Sequence, residues 1–219
     1  MPVNERNLLT NIVVAIDATN GSVPEVRELR RHYSAQLREL PADALLSVAR
    51  RLLRSNDLAR FMAYELVRFH PAAFAGLRDA DVVALGEGMS SWGAVDSFAF
   101  YIAGPAWKRG QISDKAIAAW ARSRDRWWRR AALASTVTLN RKPVAENNVP
   151  RTLAVCARLV KDRDDMVVKA LSWALRELAK ADAGAAERFL NEHAGVLHAR
   201  VRREVTNKLR TGRKVPKKQ

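Results

Sequence analysis

A helical segment that recurs six times along the chain constrains the fold more than any other feature. The six copies are PEVRELRRHY, LARFMAYELVRF, AVDSFAFYIAG, RRAALASTVTL, VKALSWALREL and RREVTNKLR. Their aligned positions are Arg27, Arg60, Asp96, Arg130, Lys169 and Arg203. Successive positions are separated by 33 to 39 residues. A helical segment recurring at this period is typical of proteins in which helix pairs stack on one another.

A further helical stretch lies between each copy and the next. The five stretches cover residues 41–54, 79–89, 111–123, 150–161 and 185–197. In the first stretch Leu45, Val48, Ala49 and Leu52 share one helical face. Alternating patterns typical of strands are nearly absent, and no tetratricopeptide consensus occurs. The sequence therefore predicts an all-α fold, an α-solenoid of about six HEAT-like helical repeats.

The breaks between helices are too short to separate domains. His70-Pro71 and Gly104-Pro105 are examples, and neither resembles a long linker. We therefore expect one HEAT-like repeat domain over residues 1–209, followed by a flexible basic tail over residues 210–219. The basic residues of this tail are Arg210, Arg213, Lys214, Lys217 and Lys218. A solvated terminus without a role is the alternative interpretation of the tail.

The sequence also bounds the compartment and the cofactors. No apolar run approaches the roughly 20 residues that cross a membrane, and the short apolar run near the start lacks the basic flank of a signal peptide. Cys156 is the only cysteine, so we expect a reducing cytoplasm, with association to the nucleoid in a bacterium. The histidines lack metal-ligand spacing, which predicts no metal. They are His32, His70, His193 and His198.

The net charge indicates the kind of partner. Lysine and arginine total 38 against 23 aspartate and glutamate residues, a formal charge of +15, and the pI is near 10.8. Such a surplus attracts polyanions, and nucleic acid is favoured over a membrane or an acidic protein. Because the second helix of each stacked pair lines the concave side, we predict a curved solenoid with a basic concave groove that binds double-stranded DNA.

Five of the six aligned positions are basic, and Arg129 precedes one of them. The predicted DNA-binding residues are therefore Arg130, Arg129, Arg60, Lys169, Arg203 and Arg27. A regular basic row suits a duplex, which carries one phosphate charge per roughly 1.7 Å of its axis. The alternative is that these arginines lie at repeat interfaces, with packed stems and solvated heads. A groove that wraps a duplex is expected to belong to a monomer.

The acidic exception in the basic row lies beside a tryptophan. Trp92 and Asp96 are four residues apart, so the indole and the carboxylate share one helix face. Ser90 or Ser91 is predicted to cap the start of this helix.

The other tryptophans divide into two groups. Trp127 and Trp128 begin the equivalent helix of the next repeat, and Trp173 lies in the repeat after that. Core packing is the favoured interpretation of Trp120 and Trp127. Core packing is also the alternative to a binding role for Trp173 and for Trp92.

Several motifs together resemble one known family. They are SWGAVDS (91–97), WWRRAAL (127–133), KALSWALRELAK (169–180) and RREV (202–205), with a weaker match at GSVPEVR (21–27). In this order and at this spacing they resemble the AlkD-type DNA alkylation repair glycosylases, which are built from HEAT-like repeats. The resemblance covers residues 21–209, which is most of the chain.

The resemblance implies an activity and the residues that perform it. The family removes N3- and N7-alkylated purines, such as 3-methyladenine and 7-methylguanine, from double-stranded DNA. Its cleft contains a tryptophan and an aspartate, matched by Trp92 and Asp96, and a second tryptophan, matched by Trp173. An arginine near the lesion-bearing backbone is matched by Arg130. Members are thought to act from the backbone side, without enclosing the base.

The residue types suit this chemistry. An alkylated purine is cationic and leaves as a neutral base, so no strong general acid is needed. The sugar becomes cationic as the glycosidic bond lengthens, and a fixed carboxylate stabilises that charge. Indole faces stabilise a nearby cation by roughly 0.5–2 kcal/mol each. The expected function is a monofunctional glycosylase of base excision repair that needs no cofactor.

Two other functions stay open. A non-catalytic HEAT-like protein that binds DNA needs only the basic row, and protein-binding scaffolds are common among solenoids. A Schiff-base lyase is disfavoured, because Lys169 is the only lysine in the row and nothing nearby would desolvate it. The chain also departs from the family. Ser91 and Gly93 stand where relatives often have a tryptophan and an acidic residue, and no tyrosine precedes Tyr33.

Overall fold

All regular structure is helical in the residues that the computed structural model describes, which are 5–143, 145 and 148–215. This confirms the predicted all-α fold. The α-helices are α1 (Glu5–Asp17), α2 (Val23–Gln36), α3 (Ala42–Leu52), α4 (Asp57–Phe69), α5 (Pro71–Gly76), α6 (Asp79–Gly86), α7 (Trp92–Phe98), α8 (Gly104–Lys108), α9 (Asp114–Trp120), α10 (Arg126–Leu139), α11 (Asn148–Arg158), α12 (Asp165–Ala181), α13 (Ala183–Glu192) and α14 (Ala199–Thr211). A π-helical turn, Ala99–Ala103, follows α7.

The first compact unit, Met1–Ile102, is built from three successive helix pairs. Its second helices pack in chain order, α2 against α4 and α4 against α7. Helix α3 lies in the other layer, where it contacts α1, α5 and α6 and packs against its own partner α4. The apolar positions predicted to share a face of α3 are all buried. This two-layer packing is that of a helical repeat protein.

The second compact unit, Ala103–Gln219, repeats the arrangement. Helix α10 packs along α12, and α12 packs along α14. Helices α9, α11 and α13 form the other layer, and each contacts the second helix of its own pair. The structure thus divides into two compact units. A single domain over residues 1–209 remains a prediction.

Each second helix begins at a side-chain cap. The caps are Ser22, Asn56, Ser91, Asp125, Asp164 and His198. Each cap accepts a hydrogen bond from a backbone N–H two or three residues later, which satisfies a donor that the helix itself leaves unpaired. Of the two serines predicted to cap α7, Ser91 is the one that does so, at 3.1 Å from the nitrogen of Ala94.

The caps supply a structural register for the repeats. The residues five positions after the caps are Arg27, Phe61, Asp96, Arg130, Lys169 and Arg203. Five of the six positions aligned from sequence therefore share one register, but in α4 that position belongs to Phe61 rather than Arg60. A shift of one residue turns a side chain by about 100° around an α-helix. Arg60 therefore lies about 100° away, on its own helix, from the position that the other five residues occupy on theirs.

The predicted helical stretches are also confirmed. All five stretches between the repeat copies overlap helices, namely α3, α6, α9, α11 and α13. The sequence patterns missed the short helices α5 and α8 and the π-helical turn.

The end of the chain is partly ordered against α14. This helix continues through Thr211 and ends at Gly212, whose φ of 71° lies in the left-handed region that glycine adopts easily. Lys214 then reaches back to Glu204, with 3.5 Å between Nζ and Oε1. The first residues of the predicted flexible tail are thus attached to the domain. Lys217 and Lys218 lie outside the described residues.

Candidate functional site

Helix α7 presents an exposed tryptophan one turn before an aspartate. Trp92 is the first residue of the helix and is 63% exposed. Asp96 follows four residues later and is half-buried. Because most of the indole is in water, core packing does not explain Trp92. The predicted shared face for Trp92 and Asp96 agrees with their accessibility.

The accessible face continues past α7. Its positions are Trp92, Gly93, Asp96, Ser97, Phe100 and Tyr101. The intervening positions are buried and are Ala94, Val95, Phe98, Ala99 and Ile102. This pattern repeats every four residues and would drift around an α-helix of 3.6 residues per turn. The wider π-helical turn compensates for the drift and keeps the face in line. We call these six accessible positions the α7 stripe.

The start of α7 is fixed to the neighbouring second helix. The Ser91 hydroxyl donates to the Asp57 carboxylate at 3.0 Å while it caps α7. Asp57 is the first residue of α4. The backbone that carries Trp92 is therefore attached at both the helix cap and the adjacent repeat.

An arginine and a tyrosine meet at the other end of the stripe. Arg27 on α2 donates from Nη2 to the Tyr101 hydroxyl at 2.8 Å and from Nε to the Glu65 carboxylate at 3.1 Å. Arg30 donates to the other oxygen of Glu65 at 3.3 Å. The Arg27 side chain remains 46% exposed. The hydrogen bonds to Tyr101 and Glu65 raise the pKa of Arg27, so its guanidinium stays charged.

Tyr101 was not among the residues identified from the sequence. Its ring meets Phe61 edge-on at 5.5 Å and Phe100 at 5.1 Å between centroids. Burial is the main cause that raises the pKa of its hydroxyl, and the hydrogen bond from Arg27 opposes it. A four-residue extension of the Trp92–Asp96 pattern would have reached Phe100, but the additional residue of the π-helical turn could not be read from the sequence.

Arg60, which the sequence predicts to contact a phosphate, is buried in the structure. Arg60 is 6% exposed. Its guanidinium donates to the backbone oxygens of Leu53 at 2.9 Å and Glu87 at 3.0 Å, and to the Tyr64 hydroxyl at 3.1 Å. Leu53 and Glu87 directly follow α3 and α6, so Arg60 satisfies carbonyls at two helix ends. This structural role agrees with the alternative that some arginines lie at repeat interfaces.

Two predicted arginines of the second unit also join successive repeats. Arg129 donates from Nε to the Asp162 carboxylate at 2.7 Å. Arg130 is 6% exposed and donates to the backbone oxygen of Met166, at the start of α12, at 2.7 Å. These bonds tie α10 to α12 and direct both guanidinium groups into a repeat interface.

The remaining predicted residues of the second unit are accessible. The Lys169 side chain is 45% exposed and pairs with Asp165 at 2.6 Å. Arg203 is exposed on α14. Trp173 is half-buried on α12. Its neighbour Ser172 faces the interior, where its hydroxyl donates to Glu204 at 2.6 Å.

The tryptophans of α9 and α10 have different surroundings. Trp120 is buried, as expected of a core residue, and its ring lies 5.0 Å from that of Trp128. Trp127 is half-buried and lies under the Arg126 guanidinium at 4.8 Å. Core packing therefore describes Trp120, whereas Trp127 and Trp128 are both half-buried and are core residues only in part.

The described residues contain no cluster of three histidine, cysteine or acidic side chains suited to a metal. Cys156 is buried, and burial raises the pKa of its thiol. Within the same part of the chain, no helix has the length and apolarity needed to span a membrane.

Comparison with known proteins gives one match. The family model described as "DNA alkylation repair enzyme" matches residues 19–209. This range nearly coincides with the range over which the sequence motifs resembled such a family. The comparison found no matching curated protein and no matching solved structure.

Proposed function

The chain belongs to the DNA alkylation repair enzyme family, and from this membership we propose that it is a monofunctional DNA glycosylase. Its substrates are cationic N3- and N7-alkylated purines in double-stranded DNA, such as 3-methyladenine and 7-methylguanine. The reaction is hydrolysis of the N-glycosidic bond, the first step of base excision repair.

The observation that carries this proposal is the exposed indole of Trp92 next to Asp96. An indole that is 63% exposed contributes little to the hydrophobic core. A large aromatic surface held at a helix start beside a carboxylate suits a cationic ligand. The alkylated base is a cation before the reaction, and the sugar becomes one during it. A protein that only neutralises phosphates would gain no affinity from an indole beside a carboxylate.

Asp96 is proposed to stabilise the sugar as the base departs. The bond between C1′ and the purine nitrogen breaks, and its electron pair moves into the cationic ring, which leaves as a neutral base. The sugar is left with oxocarbenium character, which the negative carboxylate stabilises. Water then adds to C1′, and its proton passes to the carboxylate or to solvent. Atoms and charge balance without a metal or another cofactor.

The tryptophans are proposed to stabilise cations through their indole faces. A cation over an indole face gains roughly 0.5–1 kcal/mol where exposed and about 2 kcal/mol where desolvated. Trp92 has the accessible face that this requires. Trp173 is assigned the same role on the resemblance of its motif to the family, and it is half-buried rather than fully enclosed.

The phosphate contacts are proposed for the accessible basic residues. Arg27, Lys169 and Arg203 expose their side chains on second helices. Arg129 and Arg130 remain assigned to DNA from the sequence, and their bonds to Asp162 and Met166 give them a packing role as well. Such contacts position the duplex without selecting a sequence.

The proposal is tested by release of free base from methylated duplex DNA. The parent protein is expected to release 7-methylguanine or 3-methyladenine, and Asp96→Asn is expected to release neither at a comparable rate. Asp43→Asn removes an exposed carboxylate from α3 and should behave as the parent. No release by the parent protein, or equal release by Asp96→Asn, would refute the catalytic assignment.

One observation favours a second function. The formal charge of +15 suits a non-catalytic protein that only binds DNA. Duplex binding that weakens with salt, without base release by the parent, would establish it. In that case Asp96→Asn should bind DNA as well as the parent or more tightly, because a negative charge has been removed. A protein-binding scaffold would bind duplex DNA weakly.

A further inference from the structure

We propose that Tyr101 and Arg27 together bind one backbone phosphate of the DNA, next to the nucleotide whose base is removed. This inference rests on the proposed function and adds a residue, Tyr101, that neither the sequence motifs nor the family description identifies. It follows from the contacts of the hydroxyl and from the line of the α7 stripe.

The hydroxyl and the guanidinium offer complementary hydrogen bonds. Tyr101 accepts the N–H of Arg27 at 2.8 Å through its oxygen, so its own O–H can donate to another acceptor. Arg27 uses Nε for Glu65 and one N–H of Nη2 for the tyrosine, which leaves three further N–H groups of the guanidinium. A phosphodiester presents two anionic oxygens and is a strong acceptor for such donors.

The pair is held in place by its surroundings. Glu65 is buried and accepts from both Arg27 and Arg30, which fixes the stem of Arg27 along α4. Phe61 and Phe100 hold the ring of Tyr101 through edge contacts. A donor pair with such restricted geometry loses little conformational entropy on binding. Because burial raises the pKa of Tyr101, its donor proton is retained at neutral pH.

The separation along the stripe limits which phosphate Tyr101 can reach. Tyr101 lies five residues after Asp96, which corresponds to at most about 7 Å along the helix axis. This is comparable to two steps of about 3.4 Å along a DNA strand. A phosphate bound by Tyr101 while a nucleotide lies at Asp96 would therefore flank that nucleotide.

Glu65 is the competing acceptor. A side-chain hydrogen bond with Glu65 is among the causes that raise the pKa of Tyr101, so in the absence of DNA the phenol O–H has Glu65 as its acceptor. Such a bond would make Tyr101 a structural residue only. The experiment must therefore measure coupling between the hydroxyl and a particular phosphate, because stability alone does not separate the two roles.

The test combines Tyr101→Phe with single methylphosphonate substitutions in the DNA. The probe is a duplex with a tetrahydrofuran abasic analogue, scanned by one neutral methylphosphonate at a time around the analogue. Loss of a hydrogen bond to a charged group is expected to weaken binding by Tyr101→Phe about tenfold. At one flanking position, methylphosphonate should weaken the parent clearly more than Tyr101→Phe, because the variant has already lost the bond from the hydroxyl and retains only the contact of Arg27. Tyr33→Phe, which removes the hydroxyl of another tyrosine in the same unit, is the matched control and should bind as the parent.

The other outcomes separate a failure of this inference from a failure of the proposed function. If Tyr101→Phe binds as the parent, or if its loss adds to that of every methylphosphonate, the hydroxyl does not contact a phosphate. If the parent releases base while that result holds, the glycosylase proposal stands alone. If the parent releases no base but shows the coupled position, the phosphate site stands and the catalytic proposal fails. If the parent does not bind the duplex, both fail.

Discussion

Helices α7 and α12 begin in the same way but present different chemistry. Each is capped by a side chain, Ser91 in one and Asp164 in the other. In α12 the first residue and the one four later are Asp165 and Lys169, which form an ion pair at 2.6 Å. In α7 these two positions hold Trp92 and an aspartate.

The two helices differ in what accompanies the carboxylate. Asp165 is neutralised by Lys169 on its own helix and also by Arg200 at 2.5 Å. An indole has no charge, so Trp92 does not neutralise Asp96 in this way. In α12 the carboxylate is thus neutralised from its own helix, whereas in α7 the residue one turn earlier presents an exposed aromatic face instead.

The sharpest test of this contrast replaces the carboxylate in each helix by an amide. Asp96→Asn is expected to lower the single-turnover rate of 7-methylguanine release by about 100- to 1000-fold, the usual effect of removing one electrostatic group from a transition state. Asp165→Asn should stay within about twofold of the parent, since it removes an exposed ion pair worth at most about 1 kcal/mol. Equal effects on the release rate would abolish the distinction between the helices.

The second test contrasts Arg60 with Lys169. Arg60→Ala is expected to lower the free energy of unfolding by about 2–3 kcal/mol, because three hydrogen-bond acceptors lose their buried donor. Lys169→Ala should cost less than about 1 kcal/mol. Its effect should appear instead as weaker DNA binding with a salt slope reduced by about one. Urea unfolding and binding titrations at several salt concentrations measure both. A stable Arg60→Ala would contradict the structural role of Arg60.

The third test removes the exposed indole. Trp92→Ala is expected to slow base release by about tenfold, which corresponds to a cation–π contribution near 1.4 kcal/mol. The free energy of unfolding should change by less than about 0.5 kcal/mol because the side chain is largely in water. Trp92→Phe, which retains an aromatic face, should recover part of the rate. A large loss of stability would instead make Trp92 a core residue.

The smallest expected effect concerns acid. The hydrogen bond from Lys169 is the main cause that lowers the pKa of Asp165 below its ordinary value. A carboxyl group whose pKa is lower in the folded state stabilises the protein at pH values above its pKa in the unfolded state. That stabilisation is lost as the pH falls through its pKa in the folded state. The parent should therefore lose slightly more stability than Asp165→Asn between about pH 5 and pH 2. Unfolding curves across this range measure the difference, and identical pH dependence would show that the ion pair is inert.

Much of the fold can be predicted from the sequence because helix pairs leave local signals in it. The apolar period and a capping side chain before each second helix are both visible in the chain, and five of six aligned positions share the structural register. Arg60 was misplaced by one residue because the sequence alignment matched it to the basic residues of the other copies. The cap at Asn56 resolves it in favour of Phe61.

The site was harder to predict because it depends on burial and on helix geometry. Trp92 and Asp96 were identified from their spacing, but the sequence left open whether Trp92 was buried. Arg130 has the same register as Lys169 and is nevertheless buried, since α12 begins beside it. Tyr101 was missed because a π-helical turn has no signature in composition or period.

The capping side chains also explain how the repeats vary in length without losing their common face. The intervals between caps range from 34 to 39 residues, a spread that would rotate a continuous helix by more than a full turn. Each cap instead sets the first residue of its own helix, so an insertion in one connection does not change the register of the next helix. An added residue therefore lengthens a loop and leaves the positions of the functional side chains on the following helix unchanged.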